Sequence, residues 1–136
     1  MEALKTPQHR DREAQRNALT ESVIGAAIEV HRHLGAGLLE SAYENCLCHE
    51  LYLRGLNFKR QVPLQINYKG TDVDAAYRLD MVVEDRIVLE LKAIEVINPI
   101  HQAQLLTYLK LSGLKTGLLI NFMVPVLKDG IKRISL

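Results

Sequence analysis

Apolar positions recur at two different periods along this chain, and the points where the period changes mark its elements. From Leu19, the residues Val23, Ala27, Val30 and Leu34 form a stripe at helical spacing, which predicts a helix with Thr20 as N-cap and Glu21 in its first turn. Gly35-Ala36-Gly37 stops it. A second helix is predicted from about Leu38 to Arg54, with Tyr43, Cys46, Leu47 and Leu51 facing inward and Gly55 as a left-handed cap, so that the two make a helical hairpin. At Phe58 the period falls to two: Phe58, Val62, Leu64, Ile66 and Tyr68 share one face of a half-buried strand reaching Lys69. Pro63 cannot donate to a ladder, which places this strand at an edge or gives it a bulge. After the turn Lys69-Gly70-Thr71-Asp72, a second strand runs from about Val73 to Val83, and a third covers Arg86 to Ile94.

The register of these last two strands carries chemistry. If Glu84 and Asp85 alone formed the loop, Asp80 would pair with Leu89 and lie on the face opposite Glu90, mixing polar with apolar positions. A three-residue loop through Arg86, or a bulge, instead sets Asp80 opposite Glu90 and Arg78 opposite Lys92. Leu79, Met81, Val83, Ile87, Leu89 and Leu91 then share the core face. The second register separates the faces cleanly and is the one expected. It gathers Asp80, Glu90 and Lys92 as a by-product.

Further on, Asn98-Pro99 starts a helix that runs to about Ser112 and ends at Gly113. Leu105, Leu106 and Leu109 are its packing stripe, and His101, Gln104 and Tyr108 lie together along the border. Thr116 to Phe122 is a continuous apolar run, as in a strand covered on both sides. Asp129-Gly130 turns the chain into a last edge strand, Ile131 to Leu136. The order predicts an α/β fold: a helical hairpin, three strands, a helix and one or two further strands, making a mixed sheet flanked by helices. Residues 1–18, polar and without apolar periodicity, are expected to be a flexible tail or loosely helical arm ahead of one domain at 19–136.

Composition narrows the classes. Of the 136 residues, 48% are hydrophobic and 24% charged, the balance of a globular chain. No apolar run is long enough for a membrane span and the N-terminus is no signal peptide, so no membrane partner and a cytoplasmic location are expected. Cys46 and Cys48 are the only cysteines, too few for a disulfide framework or a four-cysteine metal site, and both read as small core residues. The net charge of +1 excludes nucleic-acid binding by bulk electrostatics and requires a local patch. Candidate contacts are Lys59, Arg60, Arg78, Lys110 and Lys115.

Two carboxylates on adjacent strands, with a lysine two residues from one of them, suit metal-dependent phosphodiester hydrolysis. A hard cation such as Mg²⁺ takes carboxylate and carbonyl oxygens and activates water, while a lysine orients that water or balances charge in the transition state. The pattern Arg78-Leu79-Asp80, nine intervening residues, then Glu90-Leu91-Lys92 resembles the PD-(D/E)xK nuclease superfamily. Gly37-Leu38-Leu39-Glu40-Ser41-Ala42-Tyr43 is similar to the motif that names its GxxExxY family, and Gln104 with Tyr108 resembles the Gln-x-x-x-Tyr helix of its RecB-like branch. Leu79 stands where the superfamily's name has proline.

The resemblance implies a restriction-endonuclease-like fold. It also implies a nuclease that uses Mg²⁺ or Mn²⁺, held by Glu40, Asp80, Glu90 and the Leu91 carbonyl, with Lys92 as the catalytic lysine. Gln104, Tyr108 and Arg78 would then contact substrate, with DNA favoured over RNA. Taken singly, Glu40 reads as a first-turn acid, Tyr43 as core and His101 as a helix-start surface residue outside any metal site. The alternative is a catalytically weak nucleic-acid-binding or scaffolding module that retains the fold. One site per small chain leads to the expectation of a homodimer, with Ile131 to Leu136 as a pairing edge.

Overall fold

The computed structural model describes residues 7–136, apart from the side chains of Ala75 and Ala76. Residues 1–6 of the expected tail lie outside the described residues. Helix α1 spans Pro7–Leu34 and α2 Glu40–Leu53; strands β1 (Phe58–Tyr68), β2 (Thr71–Val83) and β3 (Ile87–Lys92) follow. Helix α3 (Pro99–Ser112), β4 (Thr116–Asn121), a 3-10 turn at Leu127–Gly130 and β5 (Ile131–Ser135) complete the chain. The strands form one sheet in sequence order, antiparallel except for the parallel β3–β4 pair that α3 connects. Among the described residues no helix is long and apolar enough to cross a membrane.

Thr20 is not a cap. With Pro7 at its start, where a missing N–H costs nothing, α1 begins twelve residues before the apolar stripe. Thr20 is buried inside it, and its hydroxyl donates back to the Arg16 carbonyl at 2.7 Å. The arm is tied to the far edge of the sheet by Arg133 Nη2, which donates to Asn17 Oδ1 at 2.8 Å.

Helices cover both faces of the sheet, so there are two cores. On one face, Val23, Ala26, Ala27 and Val30 of α1 and Tyr43, Leu47 and Leu51 of α2 pack on Met81, Val83, Ile87, Leu89, Leu91, Leu118, Ile120 and Phe122. On the other, Leu105, Tyr108 and Leu109 of α3 pack on Leu64, Leu79, Val82, Val88 and Leu119. The two cores, and burial along the helices, correct four expectations. Leu79 does not share a face with Met81, and Phe58 packs with the first core while Val62 and Leu64 pack with the second. Both breaks fall where Gln61, at φ 49°, interrupts the β1–β2 ladder between Arg60↔Met81 and Val62↔Leu79. Cys46 is exposed and only Cys48 is buried, while in α3 it is Tyr108, not Leu106, that completes the buried stripe.

The connection between β2 and β3 is the three-residue loop Glu84-Asp85-Arg86, which sets Val83 opposite Ile87 and Met81 opposite Leu89, the register expected from the pattern. β1 is an edge strand, the position expected for a strand that carries Pro63. Beyond β4 the chain folds tightly: a methyl on Gly130 would meet the Asn121 carbonyl oxygen and approach Val124 Cγ2 to 3.0 Å. Gly130→Ala is therefore expected to cost about 1–3 kcal/mol, read as a lower midpoint in thermal unfolding; an unchanged midpoint would mean that this turn relaxes freely.

Candidate active site

The β2–β3 ladder stops at Met81↔Leu89, and side chains replace the next rung. The Asp80 backbone N–H donates to Glu90 Oε1 at 3.3 Å, and the Leu91 N–H donates to Asp80 Oδ2 at 2.8 Å. Each carboxylate thus closes on the backbone of the other strand, which holds the two acids side by side at the end of the hairpin. Glu90 is only 7% exposed. Burial first, and then the neighbouring Asp80 charge, pushes its carboxyl up to about 8. Asp80 is also raised, chiefly by burial, with the Leu91 N–H bond and Lys92 opposing the rise. Two acids whose anionic forms are disfavoured, beside one ammonium, form a site short of positive charge.

Lys92 is the last residue of β3 and pairs with Asn121 at the end of β4. Its carbonyl accepts from the Phe122 N–H at 2.9 Å. Asn121, nearly fully buried, then clamps the chain just past Lys92: its Nδ2 donates to the Ile94 carbonyl at 2.8 Å, and its Oδ1 accepts from Ile94 and Met123 N–H at 3.1 and 3.2 Å. Sequence reasoning passed over Asn121. The available signal was an amide ending an otherwise apolar buried strand, where it must find partners.

Glu40 reaches the neighbourhood through the loop between α1 and α2. Gly35 and Gly37 take φ 72° and 103°, angles that a side chain resists. The buried Tyr43 staples this loop: its hydroxyl donates to the Gly35 carbonyl at 2.6 Å and accepts from the Leu38 N–H at 3.2 Å, while its ring stacks on Phe122 at 4.4 Å. The expected core role for Tyr43 is thus joined by a polar one, fixing where α2 begins and so where Glu40 stands. Glu40 is exposed at the rim, its carboxyl raised by desolvation and then by Asp80, with Lys92 opposing. Tyr43→Phe keeps the ring and removes both bonds, and is expected to lower stability by about 1–3 kcal/mol in denaturant titration. A cost near zero would assign the loop geometry to the glycines alone.

Glu44, one turn beyond Glu40, also raises both Glu40 and Asp80. Arg60 grips it, with Nη2 at 2.6 Å and Nε at 3.2 Å from Glu44 Oε2, while Gln61 Nε2 donates to Oε1 at 3.0 Å. That group ties α2 to the edge strand beside the acids. It also gives Arg60 an acidic partner with which a phosphate would have to compete. Lys59 pairs with Asp85 at 3.1 Å, and Lys115 precedes Thr116, opposite Ile87 and so at the other end of the sheet from Lys92. Arg78 is exposed opposite Pro63, beyond the end of the β2–β3 ladder, so no ladder pair sets it opposite Lys92. The five expected basic contacts do not form one groove.

Gln104 and Tyr108 share with Lys92, His101, Tyr77 and Ile66 the lining of a groove of about 540 Å³. His101 has a structural task as well: its Nδ1 accepts from the Asn98 N–H at 3.0 Å, as an N3 glutamate does in a capping box. The carboxylates of Glu40, Asp80 and Glu90 and a backbone carbonyl are hard oxygen donors, a set that fits Mg²⁺ or Mn²⁺ in chemistry and in its shortage of positive charge. Among the described residues, no three His, Cys, Asp or Glu side chains converge closely enough to enclose an ion.

A mixed sheet between helical layers, with a helical hairpin ahead of it and acids and a lysine at the end of its central hairpin, is a restriction-endonuclease-like fold. Residues 17–134 match the family model described as the PD-(D/E)XK nuclease superfamily, and the chain belongs to that superfamily. No curated protein and no solved structure matches it. Membership implies a nuclease-type function and a nucleic-acid partner, and nucleases of the superfamily generally use divalent metals.

Proposed function

We infer that the protein is a divalent-metal-dependent nuclease of the GxxExxY family, hydrolysing phosphodiester bonds in nucleic acid, DNA in preference to RNA. The observation that carries this reading is the interlocked pair of Asp80 and Glu90, each bonded to the other strand's backbone with Lys92 alongside. Building such a pair costs several kcal/mol, roughly, in desolvation and mutual repulsion, a cost that a cation at the site would offset. Glu40, Asp80, Glu90 and the Leu91 carbonyl would hold Mg²⁺ or Mn²⁺, which when bound would polarise the phosphodiester and acidify a water. Lys92 donates to that water or to a phosphoryl oxygen, orienting the attack and balancing the charge that develops. Gln104 and Tyr108 position the strand, and Arg78 contacts its backbone farther out.

The chain acts in the cytoplasm as a homodimer through β5, whose outer edge no other described strand covers. A second reading, a catalytically weak binding module, draws support from the separation of Glu40 from the other two acids. The test is incubation with single- and double-stranded DNA and RNA in Mg²⁺ or Mn²⁺, beside EDTA controls. Metal-dependent cleavage supports the enzyme; binding without cleavage in either metal assigns the module instead.

A further inference from the structure

The groove beside Lys92 does not have the composition of a phosphate track. Its floor and walls include Ile66, Tyr77 and Tyr108, its polar groups are Gln104 and His101 among others, and Lys92 is its one cation among the described residues. A duplex backbone would leave such apolar walls unsatisfied. A nucleobase, with two apolar faces and a polar edge, matches them.

The two tyrosines differ in a way that defines the seat. Tyr108 is buried and forms the back wall, close enough to the acids that Glu90, after burial itself, helps to raise its hydroxyl. Tyr77 is 50% exposed and leans beside it, ring centroids 6.1 Å apart and tilted by 47°. No base fits between rings so close. The open face of Tyr77 is therefore the stacking surface, with Tyr108 as the stop behind it. The backbone sets Tyr77 at this place: Leu64 pairs with Tyr77 but Gln65 pairs with Asp74, so β2 carries two extra residues, Ala75 and Ala76, immediately before it. Such a bulge re-aims the residue next to it.

We propose that Tyr77 and Tyr108 form a seat for one unpaired nucleobase next to the catalytic lysine, and that the protein consequently acts on single-stranded nucleic acid or on unpaired ends. A base inside a duplex has both faces covered by its neighbours, and unstacking it costs free energy that a single strand does not require. The stacking contact accepts any base, so the seat selects strandedness rather than sequence. Gln104, at the edge of the groove, reaches the base's polar rim. This inference rests on the nuclease reading for its substrate class.

Binding is measured by fluorescence anisotropy in EDTA, where no strand is cut, using a short labelled single strand, the same length of abasic spacer strand, and a duplex. Tyr77→Ala is expected to weaken single-strand binding about tenfold, with Tyr77→Trp restoring it and duplex binding unchanged. Wild type should prefer the natural strand to the abasic one by a similar factor, and Tyr77→Ala should lose that preference. Equal losses on single strand and duplex, or an undiminished preference for bases in Tyr77→Ala, would overturn the seat. Cleavage in Mn²⁺ separates this from the wider reading: a wild type that cuts but is indifferent to Tyr77→Ala on every substrate removes the seat alone. A wild type that neither binds nor cuts any strand removes both.

Discussion

Alanine in place of Lys92 should lower the rate of phosphodiester cleavage by about a hundred- to a thousandfold while leaving the fold intact. The magnitude is that of removing one preorganised donor from a transition state. The fold should survive because the β3 end is held without the side chain, by the Phe122 N–H on the Lys92 carbonyl and by the Asn121 clamp on Ile94. Lys92→Arg should rescue little, since a planar fork on a longer stem cannot place one proton where the ammonium does. The loss should fall on kcat more than on KM, because Gln104, Tyr108 and Tyr77, the residues proposed to bind the strand, are untouched. Single-turnover kinetics on wild type and variant check this. A variant within about threefold of wild type, a loss far short of a missing donor, would place the chemistry elsewhere.

The second large effect is on stability. Burial and Asp80 raise the Glu90 carboxyl from 4.5 to about 8 in the folded protein. Between those values the folded chain holds a proton that the unfolded chain releases. The metal-free protein should therefore be fully stable, as far as Glu90 is concerned, below about pH 4.5, and should lose stability as pH rises to about 8. Asp80 and Glu40, raised in the same direction, add to that slope. Glu90→Gln removes the charge but keeps the shape and the acceptor. In EDTA near the top of that window it should be more stable than wild type, by an amount on the order of a few kcal/mol. In excess Mg²⁺ the order should narrow or invert, since only wild type gains from the cation. Thermal melts across the pH range check both halves. A flat wild-type profile, or a less stable Glu90→Gln in EDTA, would make the pair an ordinary structural contact.

What could be read from residues alone was whatever depended on local pairing. The Asp80–Glu90 juxtaposition followed from the separation of polar and apolar positions along the two strands, which favoured an odd connection over a two-residue loop, and the structure has the three-residue loop Glu84-Asp85-Arg86. The start and end of α3 were legible in Asn98, Pro99 and Gly113 for a similar reason. The errors came where tertiary contacts decide. Leu79 was assigned to Met81's face on the assumption that one face of β2 is polar, but α3 covers that face too, and the ladder breaks at Gln61 and Asp80. The polar first third of α1 has no stripe to separate its two readings, flexible tail and loosely helical arm; it is helical, and Arg133, 116 residues away, bonds Asn17 just beyond it. The basic residues were grouped by type, and the fold scatters them: Arg60 to Glu44, Lys59 to Asp85, Lys115 to the opposite end of the sheet. Tyr77 gave no signal at all, because its position depends on a bulge whose partner strand lies beyond a turn.

The most direct measurement of the central claim is calorimetric titration of Mn²⁺ into wild type, Asp80→Asn and Glu90→Gln. Wild type should bind with a heat that varies with the buffer's ionisation enthalpy, since the cation displaces the proton held by Glu90, and with an affinity that rises as pH approaches about 8. Both variants should lose most of that binding. No binding by wild type at millimolar Mn²⁺, or equal binding by all three proteins, would contradict the assignment of Asp80 and Glu90 as the metal-holding pair.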